Sequence, residues 1–219
     1  MEILIEYVEI LGAVAFAISG AAKAIKNNMD LFGTIVLAVT TTIGGGMLRD
    51  ITLGHTPPSV FDDPTFAIIA VVTAIVIFIP GLRHAIVAKR RVYDMVILIT
   101  DSAGLGVFTA CGVRTVLEMG FDGNMFLVIF AAVLPAVGGG VLRDLFAGER
   151  PYIFVKHIYA CAAIVGALLC YYLWDVIGQE QSILISSAVV FAIRILAAHF
   201  RWSLPKAHGD DLTENEKRD

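Results

Sequence analysis

Seven residues, Gly44-Gly45-Gly46-Met47-Leu48-Arg49-Asp50, recur 94 positions later as Gly138-Gly139-Gly140-Val141-Leu142-Arg143-Asp144, with a single change. The same offset aligns Gly54 with Gly148 and Pro57 with Pro151. An offset of 92 aligns Glu9 with Asp101, Gly12 with Gly104, Phe16 with Phe108 and Gly20 with Gly112. A chain with this register is a duplication, so the two halves must share one fold, joined through a loop that differs by two residues.

The medium for that fold follows from the charges. Only 16% of the 219 residues are charged and 58% are hydrophobic, against about 25% charged in soluble domains, and the charges are gathered between long apolar stretches. Reading for apolar segments of about 17 to 25 residues predicts seven membrane-spanning helices, near 4–25, 31–53, 65–82, 93–113, 123–147, 153–174 and 182–200. The third is free of charge, with Pro64 opening it and Pro80-Gly81 near its close. Each half then contributes three spans, an odd number, so the second half inserts upside down relative to the first. A pseudo-two-fold axis in the membrane plane relates the halves, as in many transporters. The predicted fold class is an all-α membrane protein, with one three-helix repeat in residues 1–88 and its inverted copy in 89–176. A seventh helix without a repeat partner follows in 177–202, and a disordered polar cytoplasmic tail in 203–219.

Basic residues orient the bundle. With the N-terminus outside, the cytoplasmic side receives Lys23, Lys26, Arg83, Lys89, Arg90, Arg91, Arg143, Arg150, Lys156, Arg201, Lys206, Lys217 and Arg218, which is thirteen of the sixteen Lys and Arg. Arg49 and Arg114 remain outside, and Arg194, within the last span, is expected to snorkel inward. The predicted topology is therefore N-out and C-in. Acidic Glu2, Glu6 and Glu9 stand where a cleaved signal peptide would carry positive charge, so the first helix is expected to be retained.

Several function classes fall away. A net charge of -4 with no basic block beyond Lys89-Arg90-Arg91 excludes a nucleic-acid footprint. Cys111, Cys161 and Cys170 lie in apolar stretches without a C-x-x-C pair and read as small hydrophobes. The five histidines are scattered, with no metal-ligand spacing, and no nucleophile-base motif or phosphate loop is present. No catalytic residue, resident metal or cofactor is expected.

The glycine triplets carry the functional reading. Each glycine costs a helix about 1 kcal/mol relative to alanine, so three in a row predict a break or kink. Freed backbone survives at membrane depth only where protein buries it or water reaches it. Carbonyls of Gly44, Gly45, Gly46, Gly138, Gly139 and Gly140, with the hydroxyls of Thr41 and Thr42, would then replace part of a cation's hydration shell. Pro135 supplies another unsatisfied carbonyl. The alternative is that the glycines let helices pack closely, which is the reading for the isolated Gly12, Gly20, Gly104 and Gly112. Packing favours glycine at i, i+4 rather than in a row, so the triplets are read as breaks. Alanine at Gly45 and Gly139 is accordingly expected to impair transport more than assembly.

Adjacent Arg and Asp do not face one another on a helix. Arg49 with Asp50, and Arg143 with Asp144, are therefore expected to find partners elsewhere and to flank the outer and inner mouths of a pathway, or to tie helix ends. Glu9 and Asp101, at matching repeat positions, are candidates for attracting or pairing cations, and Arg114 is a candidate for gating.

With two G-G-G-x-L-R-D motifs, seven spans and inverted three-helix repeats, the sequence resembles the prokaryotic branch of the TRIC family, the trimeric intracellular cation channels. The bacterial relatives also bear the name glycine transporter, one such domain per repeat. The resemblance runs from about residue 4 to 200. It implies a homotrimer among membrane lipids with a pore in each subunit, helices 2 and 5 kinked at the triplets, and permeation by K+ (or Na+). It places the chain in the plasma (inner) membrane of a bacterium or archaeon. Animal members gate through a basic residue on the fourth helix, where Arg114 is the nearest here. A secondary carrier for glycine or another small amino acid remains the alternative, since inverted repeats suit alternating access equally well.

Overall fold

The structure, a computed structural model, describes residues 2–155 and 158–202. The predicted tail, 203–219, and the basic residues Lys156, Lys206, Lys217 and Arg218 lie outside the described residues. Within them every long element is helical. In chain order these are α1 (Glu2–Lys26), α2 (Leu31–Thr52), α3 (Thr65–Phe78), α4 (Pro80–Val87), α5 (Arg90–Glu118), α6 (Met125–Phe146), α7 (Tyr152–Val155), α8 (Ala160–Ile177) and α9 (Gln179–His199). Helices α1, α2, α5, α6, α8 and α9 are each long and apolar enough to cross a membrane, and α3 with α4 is an apolar pair, sharply bent at its junction, that makes a seventh when counted together. Large apolar side chains stand exposed along them, among them Phe32 at 74% and Phe126 at 78%, which only an apolar surrounding favours.

Two predicted spans are redrawn. The third, expected over 65–82, stops at Phe78 and turns by 84° into α4. Pro80 is the cause: it has no N–H for the helical ladder, and it pushes Ile79 into an extended conformation, φ -54° and ψ 131°. The sixth, expected over 153–174, is α8, preceded by the separate short α7.

The repeat reappears as local geometry. Asp30 accepts a hydrogen bond from the Gly33 amide at the start of α2 (2.7 Å), and Asn124 accepts one from the Leu127 amide at the start of α6 (3.1 Å). Both are N-caps satisfying a free helix donor. Beyond the helix ends, Gly54 (φ +76°) and Gly148 (φ +69°) take the left-handed backbone that the turn requires. The next amides, of His55 and Glu149, return to the carbonyls of Asp50 (2.8 Å) and Asp144 (2.9 Å). In the middle of the bundle α2 packs on α6 and α1 on α5. Phe16 stacks on its repeat equivalent Phe108, ring centroids 5.2 Å apart.

Candidate functional site: the α2–α6 crossing and its flanking charges

The break expected at the triplets is absent: α2 and α6 run as α-helix through Gly44–Gly46 and Gly138–Gly140. The glycines serve contact instead. A methyl group at Gly45 would fall on the Pro135 carbonyl and 2.9 Å from the Gly139 nitrogen. One at Gly139 would fall on the Thr41 carbonyl, the repeat equivalent of Pro135. Backbone therefore rests on backbone, reciprocally, and the close approach offsets the propensity cost of glycine. Successive helix residues point about 100° apart, so a triplet clears three directions where an i, i+4 pair clears one. Gly44 and Gly138 admit Leu142 and Leu48 of the facing helix, while Gly140 faces the Tyr159 hydroxyl. Gly46 meets nothing within 4 Å of a modest side chain's first carbon.

Gly46 faces a cavity of about 210 Å³, whose wall also includes Thr42, Arg49, Asp50, Asp63 and Pro135. Thr42 lines it, with its hydroxyl donating to the Ala38 carbonyl (2.9 Å). Thr41, expected beside it, points elsewhere: its hydroxyl donates to Leu37 (2.6 Å) and it packs against Gly20. Gly12, Gly20, Gly104 and Gly112 are close-packing positions as read; a methyl at Gly112 would meet the Ala132 carbonyl oxygen at 2.8 Å.

The Arg–Asp pairs do face one another, contrary to expectation. The Arg49 guanidinium donates from Nε (2.9 Å) and Nη2 (2.7 Å) to Asp50 Oδ1, and Arg143 Nε donates to Asp144 Oδ1 (3.0 Å). Side chains about 100° apart on the helix are joined because the long arginine wraps round the helix while the short aspartate stays fixed. Each aspartate's other oxygen is held from the following turn: Asp50 Oδ2 by the Ser59 amide (2.9 Å) and hydroxyl (2.7 Å), Asp144 Oδ2 by the Tyr152 amide (2.7 Å).

Beyond this the halves diverge. Arg49 also donates to Thr115 (3.3 Å) and borders the 210 Å³ cavity. Arg143, expected at a mouth, is buried, and its Nη1 donates to Ser19 (2.6 Å) and Asp101 (2.5 Å). Lys23 joins this cluster from α1, 3.3 Å from Asp144 and 2.7 Å from Glu149, and Asn27 donates to Glu149 (3.0 Å). Burial raises the Glu149 carboxyl pKa, but the hydrogen bonds from Lys23 and Asn27 outweigh it and hold the group below its usual range. A second cavity, of about 120 Å³, opens beside this cluster between Lys23, Tyr93, Asp94 and Asp144.

Among the described residues, Glu9 and Arg114 form no salt bridge with either cluster. With Glu6 and Asp63 they rim a shallow cavity of about 380 Å³, and Arg114 Nε donates to Glu118 (2.7 Å). Hydrogen bonds from the Thr65 hydroxyl and amide hold the Asp63 carboxyl below its usual range. Arg194 does not snorkel: it is buried, its guanidinium over the rings of Tyr159 (4.7 Å) and Tyr152 (5.5 Å). Sequence reasoning missed Ser19, Asn27, Glu149 and Tyr159 as parts of the site. Ser19 and Lys23 on α1 and Asn27 just past its end recur every four residues, so they continue one polar stripe along an apolar helix, a readable signal.

The glycine transporter family model matches residues 6–80 and 98–175, one copy in each half. The chain is 33% identical over 205 residues to inner membrane protein YadS of Escherichia coli K12, covering 92% of this chain and 95% of that protein. Among solved structures it matches a TRIC cation channel at TM-score 0.79 with 33% identity, over 93% of this chain and 97% of the other. It also matches the trimeric intracellular cation channel orthologue of Rhodobacter sphaeroides at TM-score 0.81 with 27% identity, over 91% and 99%. Duplicated motif, duplicated local geometry and whole-chain likeness therefore agree, and the chain belongs to the prokaryotic branch of the TRIC family.

Proposed function

We propose that the chain is a monovalent cation channel of the inner membrane, chiefly for K+, with a pathway through each subunit along the α2–α6 crossing. The observation that carries this reading is a pair of cavities with charged side chains in their walls, one at the crossing bordered by Thr42, Gly46 and Asp50, the other where α1, α5 and the end of α6 meet, bordered by Lys23, Asp94 and Asp144. The solved relatives, described as TRIC cation channels, support it. The pathway does not require kinked helices. Gly46 and Thr42 supply its wall from a continuous α2, and Asp63 together with the Arg49–Asp50 pair lines the 210 Å³ cavity.

The rest of the reading is an N-out, C-in homotrimer built of inverted repeats. Contacts between equivalent residues, Phe16 with Phe108 and Gly45 with Gly139, are what a two-fold relation between the halves produces. The basic residues Arg83, Lys89, Arg90 and Arg91 favour a cytoplasmic α4.

Purified protein in planar bilayers tests the proposal. The expected outcome is unitary K+ currents insensitive to glycine, reduced severalfold in Gly46→Leu, which fills the cavity. A glycine carrier is the second reading, favoured by the family model's name and by the Arg49–Asp50 pair, which offers both signs of charge to a zwitterion. Saturable uptake of radiolabelled glycine without unitary currents would establish the carrier and overturn the channel.

A further inference from the structure

The 84° turn between α3 and α4 leaves an open groove of about 720 Å³, which shares no lining residue with the two cavities of the proposed pathway. Its floor is apolar, formed by Ile25, Met29, Phe78 and Val87, and its polar lining consists of Asn28, Arg83 and His84, with no acidic side chain. Arg83 is exposed and lies with its guanidinium 5.2 Å over the Phe78 ring. Lys89, Arg90 and Arg91 follow directly, all exposed, and among the described residues only Arg90 of these has a carboxylate partner, Asp94 at 3.8 Å. Five basic or titratable-basic side chains thus crowd nine positions that hold no acidic residue.

The position of the groove says what such a surface meets. A span that ends at Phe78 and continues almost at right angles places α4 along the membrane surface, with Ile86 buried and Arg83 and His84 outward. An amphipathic segment lying there has its apolar side at acyl depth and its basic side among headgroups. We propose that this groove is a binding site for an anionic phospholipid. Arg83 and His84 hold the headgroup phosphate, Lys89 and Arg91 supply the surrounding positive field, and an acyl chain lies along Ile25, Met29, Phe78 and Val87. The shared chemistry is a phosphate oxyanion met by a guanidinium. The apolar floor selects the lipid over free phosphate, which has nothing to bury there.

Native mass spectrometry of the full chain in detergent, with equal amounts of phosphatidylglycerol and phosphatidylcholine added, tests the site. The wild type is expected to retain phosphatidylglycerol severalfold in preference, and Arg83→Gln/His84→Gln to lose most of that preference. Lysine at Arg83 is expected to keep it. Lys89→Gln/Arg91→Gln, on exposed positions where folding is not at stake, is expected to weaken retention about fivefold for each charge removed. Equal retention of the two lipids by the wild type, or undiminished preference in both double variants, overturns the proposal. Displacement of the lipid by inorganic phosphate in modest excess overturns it in favour of a free-anion site.

Discussion

Arg143 and Arg49 are repeat equivalents, yet their side chains are 1% and 14% exposed. The difference traces to α1 and α5, where Ser19 and Lys23 of one half correspond to Cys111 and Thr115 of the other. Lys23 adds a cation that Asp144 and Glu149 can share, whereas Thr115 is neutral, so Asp50 relies on Ser59. Truncating Arg143 leaves Asp101 buried without its ion-pair partner and Asp144 with Lys23 as its one cation, so Arg143→Ala is expected to cost about 3–5 kcal/mol. Arg49→Ala, at a pair nearer the cavity, is expected to cost clearly less. Unfolding in micelles measures both, and equal losses would contradict the assignment. Glu149, whose carboxyl is held below its usual range, stabilises the fold above the unfolded value of 4.5. That contribution is lost as pH falls through the lower folded value. The thermal midpoint should therefore drop on acidification below pH 4.5, and Glu149→Gln should flatten the drop. The Ser19-Lys23-Asn27 stripe was legible in the sequence. The burial of Arg143 was not, because it depends on Asp101, 42 positions away on another helix.

At the scale of elements, the triplets were legible as special but misread as breaks. Propensity counts what a glycine costs its own helix. It is silent on the facing backbone, and here that contact keeps both helices intact. The consequence reverses the expectation for alanine at Gly45 and Gly139: either substitution should destabilise the crossing by about 1–3 kcal/mol, against a propensity gain of about 1 kcal/mol. Gly46→Ala enters open space, so it should keep that gain while narrowing the cavity. Comparing unfolding midpoints of the three variants checks this, and a stabilised Gly139→Ala would contradict it. The Pro80-Gly81 pair announced the end of α3 but not its angle, which requires the docking of Ile86.

At the scale of the whole molecule, duplication and hydropathy carried most of the architecture: repeated caps, repeated turns and seven spans follow from them directly. Assembly is not written in periodicity, since an outward face that packs on a second copy looks like any lipid-facing surface. Mass photometry of the chain in nanodiscs should give three copies per particle, and a monomer peak alone would refute the homotrimer. One element sets a further condition on the surrounding bilayer. Fourteen residues of α3 span about 21 Å at 1.5 Å each, whereas a hydrocarbon core is about 30 Å thick. The lipids beside that helix must therefore compress while those beside α5 or α6 need not, a one-sided hydrophobic mismatch. Vesicles made from shorter acyl chains relieve it, so the protein should unfold at higher temperature in them than in long-chain vesicles of the same headgroup.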